Sequence, residues 1–201
     1  TAFRSLSHIN NKRFDHTELA VRYVIFGGEA LMPEILEPWK KAYPACKLIN
    51  MYGITETTVH VTYKEITENE IQTNKSIIGD PIPTLSCYVL DQDLKPVTIG
   101  VIGELCVGGA GVARGYHNRP DLTSEKFVVN PFHPEERIYR SGDFARILPN
   151  GDIEYIGRKD EQVKIRGHRI EIGEIEAALF KLPGIEDAVV LASKNQHSEY
   201  E

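Results

Sequence analysis

Gly157–Glu176 reads GRKDEQVKIRGHRIEIGEIE, and the division of the chain follows from it. Five Lys/Arg (Arg158, Lys159, Lys164, Arg166, Arg169) stand against five Asp/Glu (Asp160, Glu161, Glu171, Glu174, Glu176), so the stretch carries no net charge. Its pattern is not that of an exposed helix. VKI (163–165) and RIEI (169–172) read as short strands about an Arg-Gly-His turn, where Gly167 permits positive φ. A helix is expected from near Gly173, with Ile172, Ile175, Leu179 and Leu182 on one side and Pro183-Gly184 at its end. Ala188–Ala192 (AVVLA) then reads as a strand, followed by the polar run SKNQHSEYE. The stretch therefore joins the body before it to a unit that starts after it.

Upstream, Val21–Phe26 (VRYVIF) is a β-branched and aromatic run and reads as a strand that ends at Gly27-Gly28. Pro33 suits a first helical turn, and Ile35, Leu36, Trp39 and Tyr43 recur at helical spacing until Pro44. Lys47–Met51 (KLINM) is a second strand. Strand, helix, strand in this order predicts a parallel βαβ unit, with ligands bound beyond the carboxyl ends of the strands. The segments at those ends are Gly27-Gly28-Glu29 and Tyr52–Glu56. From about Ile77 the pattern becomes all-β: Ser86–Leu90, Gly103–Val107, Phe144–Ile147 and Ile153–Ile156 are short strands between Gly/Pro-rich turns. The expected fold class is α/β plus β: the end of a parallel βαβ subdomain (1–75), a small distorted β-barrel (76–159), and the hinge and start of an α+β C-terminal lid (160–201).

Composition excludes several function classes. A net charge of −6 over 201 residues lacks the basic footprint of a nucleic-acid binder. No apolar run approaches the roughly 20 residues that span a bilayer, and the polar N-terminus is no signal peptide, so a cytoplasmic location is expected. Cys46, Cys87 and Cys106 are odd in number and widely spaced, which fits reduced, buried thiols. The seven His residues show no metal-ligand spacing.

Four stretches carry candidate chemistry. In Asn50–Glu56 (NMYGITE) a tyrosine face can stack on a base, an Asn amide can bond its edge, Thr55 can bond a phosphate oxygen, and Glu56 offers a hard oxygen to Mg²⁺. Gly103–Tyr116 (GELCVGGAGVARGY) lacks the Gly-Lys-Ser/Thr of a phosphate-binding loop, and its glycines read as turn and packing positions. Tyr139–Asp143 (YRSGD) places a carboxylate after a sharp turn, where it can accept two hydroxyls of a ribose. Arg158 can hold a phosphate. His60 follows the NMYGITE run and lines the same crevice in this reading.

Taken in order, these stretches resemble the amino-acid adenylation domains of non-ribosomal peptide synthetases, in the superfamily that also holds acyl-CoA synthetases and luciferase. The resemblance covers essentially the whole chain and implies ATP and Mg²⁺ as cofactors, an amino-acid substrate, a peptidyl carrier domain bearing phosphopantetheine, and a condensation domain in the parent chain, with no nucleic acid and no membrane. By motif match, Gly28, Asn50, Tyr52, Asp143 and Tyr155 would bind the nucleotide. Thr55, Glu56 and Arg158 would be catalytic, with Glu56 the metal ligand. Asp160 would be the hinge, and Lys164 and Gly167 would lie in the lid hairpin. Ile25, Gly27, Met51, Val59 and His60 would line the amino-acid pocket, a set that points to threonine. Two elements that the family implies, a pyrophosphate-gripping loop before Thr1 and a lid lysine beyond Glu201, lie outside the sequence, as does the Asp that pairs with the substrate amine. The chain is therefore expected to be an internal fragment with little activity of its own. The alternatives are a carboxylate–CoA or aryl-acid ligase, and a non-catalytic remnant that binds nucleotide or docks a neighbouring domain.

Overall fold

The computed structural model describes residues 2–12, 19–159, 163–165, 168–185 and 187–193. Strand β1 (Tyr23–Phe26) runs parallel to β2 (Lys47–Asn50), in register from Tyr23–Lys47 to Phe26–Asn50. The crossover is a 3-10 turn at Pro33–Leu36 that continues into helix α2 (Glu37–Ala42), with proline at the start of each. Proline fits there because its missing N–H is an orphan in a first turn anyway. Leu36 and Trp39 are buried from this crossover against Leu48, Ile66 and Ile71. Helix α1 (Ala2–Lys12) adds Phe3, whose ring meets Phe26 and Trp39 edge-on at 5.0 and 5.3 Å.

The sheet then turns antiparallel through β3 (Thr62–Ile66), which sequence periodicity did not announce. Helix α3 (Glu68–Thr73) follows with a capping box: Thr67 accepts from the Asn69 N–H, and Glu70 accepts from the Thr67 N–H at 2.8 Å. Next come β4 (Ile77–Pro81), β5 (Leu85–Leu90), β6 (Gly103–Gly109), helix α4 (Pro120–Lys126), β7 (Phe127–Val129), β8 (Arg137–Ile147) and β9 (Ile153–Arg158). The strand order is β1-β2-β3-β4-β9-β8-β6-β5, with β7 on β8. The expected barrel is thus the far part of one mixed sheet: among the described residues no ladder joins β5 back to β4 to close it. Its core is Val61, Ile78, Leu85, Val89, Leu105, Val107, Ala145 and Ile153, packed with the Tyr52 ring.

Lys64 ties the two parts together. Its Nζ lies 2.5 Å from Asp152 Oδ2, in the β8–β9 turn, and 3.6 Å from Glu70 Oε1.

Beyond β9, β10 (Val163–Ile165) pairs antiparallel with β11 (His168–Ile170) as a separate two-stranded sheet, so the expected hairpin forms. Ile172 belongs to helix α5 (Ile172–Leu179) rather than to the strand. Ile172 is buried, whereas Ile175, Phe180 and Leu182 are exposed. The expected strand at Ala188–Ala192 does not form: among the described residues no β ladder reaches it, the Val190 N–H donates to Glu176 Oε1 instead, and Val189 and Leu191 are 73% and 82% exposed. A β-branched run becomes a strand only where a ladder partner meets its backbone groups. The expected hinge at Asp160 and the turn glycine Gly167 lie outside the described residues, as does the side chain of Lys164.

Candidate active site

The carboxyl ends of β1 and β2 open onto a cavity of about 30 Å³, as the parallel pairing requires. Gly28, Asn50, Met51, Tyr52 and Tyr155, all singled out in the sequence, line it together with Glu29, Ser76 and Ile78. Gly28 adopts φ 88°, a turn conformation that glycine enters without steric cost. Asn50 donates from Nδ2 to the Ile77 carbonyl at 2.8 Å, so one amide hydrogen links β2 to β4. The Ser76 hydroxyl oxygen is buried there with no hydrogen-bond partner among the described residues. Ser76 carries no motif, and its role as lining is visible only in the fold.

Asp143 sits behind this cavity. The expected sharp turn before it is instead a bulge inside β8: where β6 runs from Glu104 to Cys106, β8 runs from Phe144 back to Arg140, so β8 is locally longer. Gly142 at φ 72° makes the bulge possible, and Glu104 Oε1 accepts its N–H at 3.3 Å. The bulge turns Asp143 inward to 1% exposure. Its carboxylate accepts from the Tyr52 hydroxyl at 2.5 Å and pairs with Arg158 Nη1 at 3.1 Å. Burial first, and the Asp143 charge and hydrogen bond after it, raise the Tyr52 phenol well above its ordinary value. Tyr52 therefore stays a protonated donor at neutral pH. The structure thus brings Tyr52, Asp143 and Arg158, drawn from three separate motifs, into one hydrogen-bonded group.

The NMYGITE run continues as a 3-10 turn, Thr55–Thr57, in which Thr55 is exposed and Glu56 is buried. Thr58 and Val59 follow at φ 62° and 71°. Two consecutive β-branched residues in the left-handed region cost about 1–3 kcal/mol each. Val59 N–H to the Ile54 carbonyl (3.2 Å) and the Thr58 hydroxyl to the Gly111 carbonyl (2.8 Å) hold them. The turn closes over Gly53, where an added Cβ would lie 1.8 Å from the Val59 carbonyl oxygen. Gly53→Ala is accordingly expected to destabilise by about 2–3 kcal/mol, as an overpacked site does. Equal urea midpoints for Gly53→Ala and the parent would contradict this close approach.

Among the expected pocket residues, Gly27 packs beside Met51 and His60: an added Cβ would stand 3.3 Å from the Met51 carbonyl oxygen and 3.5 Å from His60 Cε1. Ile25 and Val59 are 58% and 63% exposed. Of the cysteines expected to be buried, Cys46 and Cys106 are buried and Cys87 is half-buried. All three are free, and burial pushes Cys87 and Cys106 up to about 12, far from thiolate formation at neutral pH. Among the described residues no cluster of three or more His, Cys, Asp or Glu could enclose a metal, and no helix is long and apolar enough to cross a membrane.

The fold and site thus define an α/β protein with an aromatic and amide lining at the strand ends and a buried carboxylate bonded to the Tyr52 hydroxyl. The AMP-binding enzyme family profile matches residues 1–117, and the chain belongs to that family. It is similar to the dimodular nonribosomal peptide synthase of Bacillus subtilis (strain 168), 56% identical over 183 residues, and to a plipastatin synthase of the same organism, 53% identical over 199 residues. These matches cover 89% and 99% of this chain but only 8% of either relative. Among solved structures it resembles PA1221, described as an NRPS protein containing adenylation and PCP domains. That match has a TM-score of 0.80 and 30% identity, and covers 89% of this chain and 36% of that one.

Proposed function

We propose that this chain forms the nucleotide face and part of the substrate pocket of an amino-acid adenylating enzyme within a larger synthetase. The observation that carries the reading is the convergence of Tyr52, Asp143 and Arg158 beside the cavity lined by Gly28, Asn50 and Tyr155. In this reading the substrate carboxylate oxygen attacks the α-phosphorus of ATP, the bond to the bridging oxygen breaks, and pyrophosphate leaves. A carrier-borne phosphopantetheine thiol then attacks the acyl carbon and releases AMP.

Each residue has a chemical task. Tyr52 and Tyr155 offer ring faces to adenine, and Asn50 offers its remaining amide capacity to the base edge. Asp143 accepts ribose hydroxyls, and a diol arriving there competes with Arg158 for Oδ1. Arg158 offers its charge to phosphate. Thr55, exposed at the start of its turn, donates to the α-phosphate. A single buried carboxylate suits a Mg²⁺ ion whose other ligands are phosphate oxygens and water, so Glu56 fits as its protein ligand. When bound, Mg²⁺ neutralises phosphate charge. Catalysis then rests on positioning and charge stabilisation.

Ile25, Gly27, Met51, Val59 and His60 form the pocket wall, with His60 the polar group for a short hydroxylated side chain; threonine is the proposed substrate. A partner carrier domain is supported by the adenylation and PCP pairing in the PA1221 description, and a cytoplasmic synthetase with condensation domains is the proposed setting. ATP–pyrophosphate exchange by the full-length protein carrying this chain, run over an amino-acid panel, tests the reading. Threonine should give the highest exchange, and Glu56→Gln should lower it by about tenfold or more. Preference for a bulky aromatic would overturn the pocket assignment. Exchange with aryl acids alone, followed by transfer to free CoA, would overturn the amino-acid reading.

A further inference from the structure

We infer that Tyr116 is a positioning residue for the Glu56 carboxylate, and that the glycine-rich stretch before it clamps the turn on which Glu56 sits. The inference rests on the adenylating reading above. The Tyr116 hydroxyl lies 2.7 Å from Glu56 Oε1 and 3.0 Å from the Tyr139 hydroxyl. Since Glu56 ionised can only accept, Tyr116 is the donor to it.

The same stretch grips the turn at two further points. The Ala113 N–H donates to the Glu56 carbonyl at 2.8 Å, and the Gly111 carbonyl accepts from the Thr58 hydroxyl at 2.8 Å. A Cβ at Gly111 would come within 3.1 Å of the Thr57 carbonyl oxygen, so the backbone must approach bare. Residues 111, 113 and 116 thus address residues 56 and 58 in order.

Tyr116 is itself held in place. Its N–H donates to the Thr123 hydroxyl at 2.9 Å, its ring meets Phe127 edge-on at 5.5 Å, and Ile54, Phe127 and Tyr139 pack around it. A phenol fixed on three sides and donating to one carboxylate oxygen restricts that carboxylate to one orientation. Such outer partners tune metal affinity about 10–100-fold.

The test uses Mn²⁺ as the probe for the Mg²⁺ site, its binding followed by water proton relaxation in the full-length protein with a non-hydrolysable ATP analogue. Tyr116→Phe keeps the ring contacts and removes the donor to Glu56 together with the hydroxyl contact to Tyr139. It should raise the Mn²⁺ Kd about tenfold, while analogue affinity in EDTA and the melting temperature stay as in the parent. Unchanged Mn²⁺ affinity in Tyr116→Phe, alongside a weakened site in Glu56→Gln, would overturn the inference and leave the metal assignment standing. Unchanged Mn²⁺ affinity in Glu56→Gln would sink the metal assignment and this inference with it. A fall in EDTA affinity and melting temperature without a change in Mn²⁺ Kd would make Tyr116 merely structural and would also overturn it. Thr123→Val, which loosens the Tyr116 backbone but keeps the phenol, gives the same readout should Tyr116→Phe not fold. It should weaken Mn²⁺ binding to a smaller degree, and unchanged binding there would count against the clamp.

Discussion

Asp143→Ala is expected to destabilise the protein by about 3–5 kcal/mol and to lower ATP affinity by about tenfold or more. Asp143 is 1% exposed, and the Arg158 side chain beside it is 10% exposed. Deleting the carboxylate keeps a guanidinium charge where little water reaches and removes the acceptor that Tyr52 addresses 91 residues away. Asp143→Asn separates the two effects. An amide oxygen still accepts from Tyr52, so stability should fall less, while the charge that pairs with Arg158 is lost. Urea unfolding and equilibrium ATP binding on the two variants provide the check. If Asp143→Ala unfolded at the parent's urea midpoint, the buried Asp143–Arg158 pair could not be a stabilising link between β8 and β9.

Lys64→Met should cost about 2 kcal/mol, less than the roughly 3–5 kcal/mol of a fully buried pair, because its side chain retains 19% exposure. The cost arises because Asp152 and Glu70 stay behind with their charges. The variant should also respond differently to acid. Burial works to raise the Glu70 carboxyl, but the Thr67 hydroxyl and N–H, with the Lys64 charge, outweigh it and hold the group below its ordinary 4.5. A carboxyl lowered in the folded state contributes stability above 4.5 and loses it as pH falls through the folded value. Burial likewise lowers Lys64, yet the Asp152 bond and charge and then the Glu70 charge leave it above 10.5. That contribution is complete below 10.5 and disappears as pH rises through the raised value. Denaturant midpoints from pH 3 to 7 should therefore fall less steeply towards acid in Lys64→Met. Parallel curves would show that Lys64 does not act on Glu70.

The sequence made the local pattern legible wherever apolar periodicity and punctuation agreed. β1, α2 and β2 follow from branched runs, Pro33 and Pro44, and the parallel pairing places Asn50 and Tyr52 at a strand end beside Gly28. β3 escaped because Thr62–Ile66 carries Lys64 and Glu65 in its middle, and their partners, Asp152 and Glu70 for Lys64 and Lys47 for Glu65, are set by the fold. Ala188–Ala192 misled in the opposite direction: strong strand propensity, but no ladder among the described residues. The YRSGD segment read as a turn because Gly142 and Ser141 are turn formers. Only the pairing of β8 with β6 shows them to be a bulge. Tyr116 left one usable signal, a tyrosine closing a glycine-rich run. That its hydroxyl meets Glu56 depends on a contact 60 residues long that no local pattern encodes.

The strand order also sets a timetable. β4 borders β3 on one side and β9 on the other, so the edge that β9 covers stays open until residue 158 has left the ribosome. At about 5–20 residues per second, the roughly 70 residues between them take about 4–14 seconds to make. For that interval the nascent chain presents the β9-facing edge of Ile77–Pro81 uncovered, in a setting where identical chains on one message lie close by. The interleaved sheet that brings Asp143 to Tyr52 therefore ties the exposure time of that edge to the speed of synthesis.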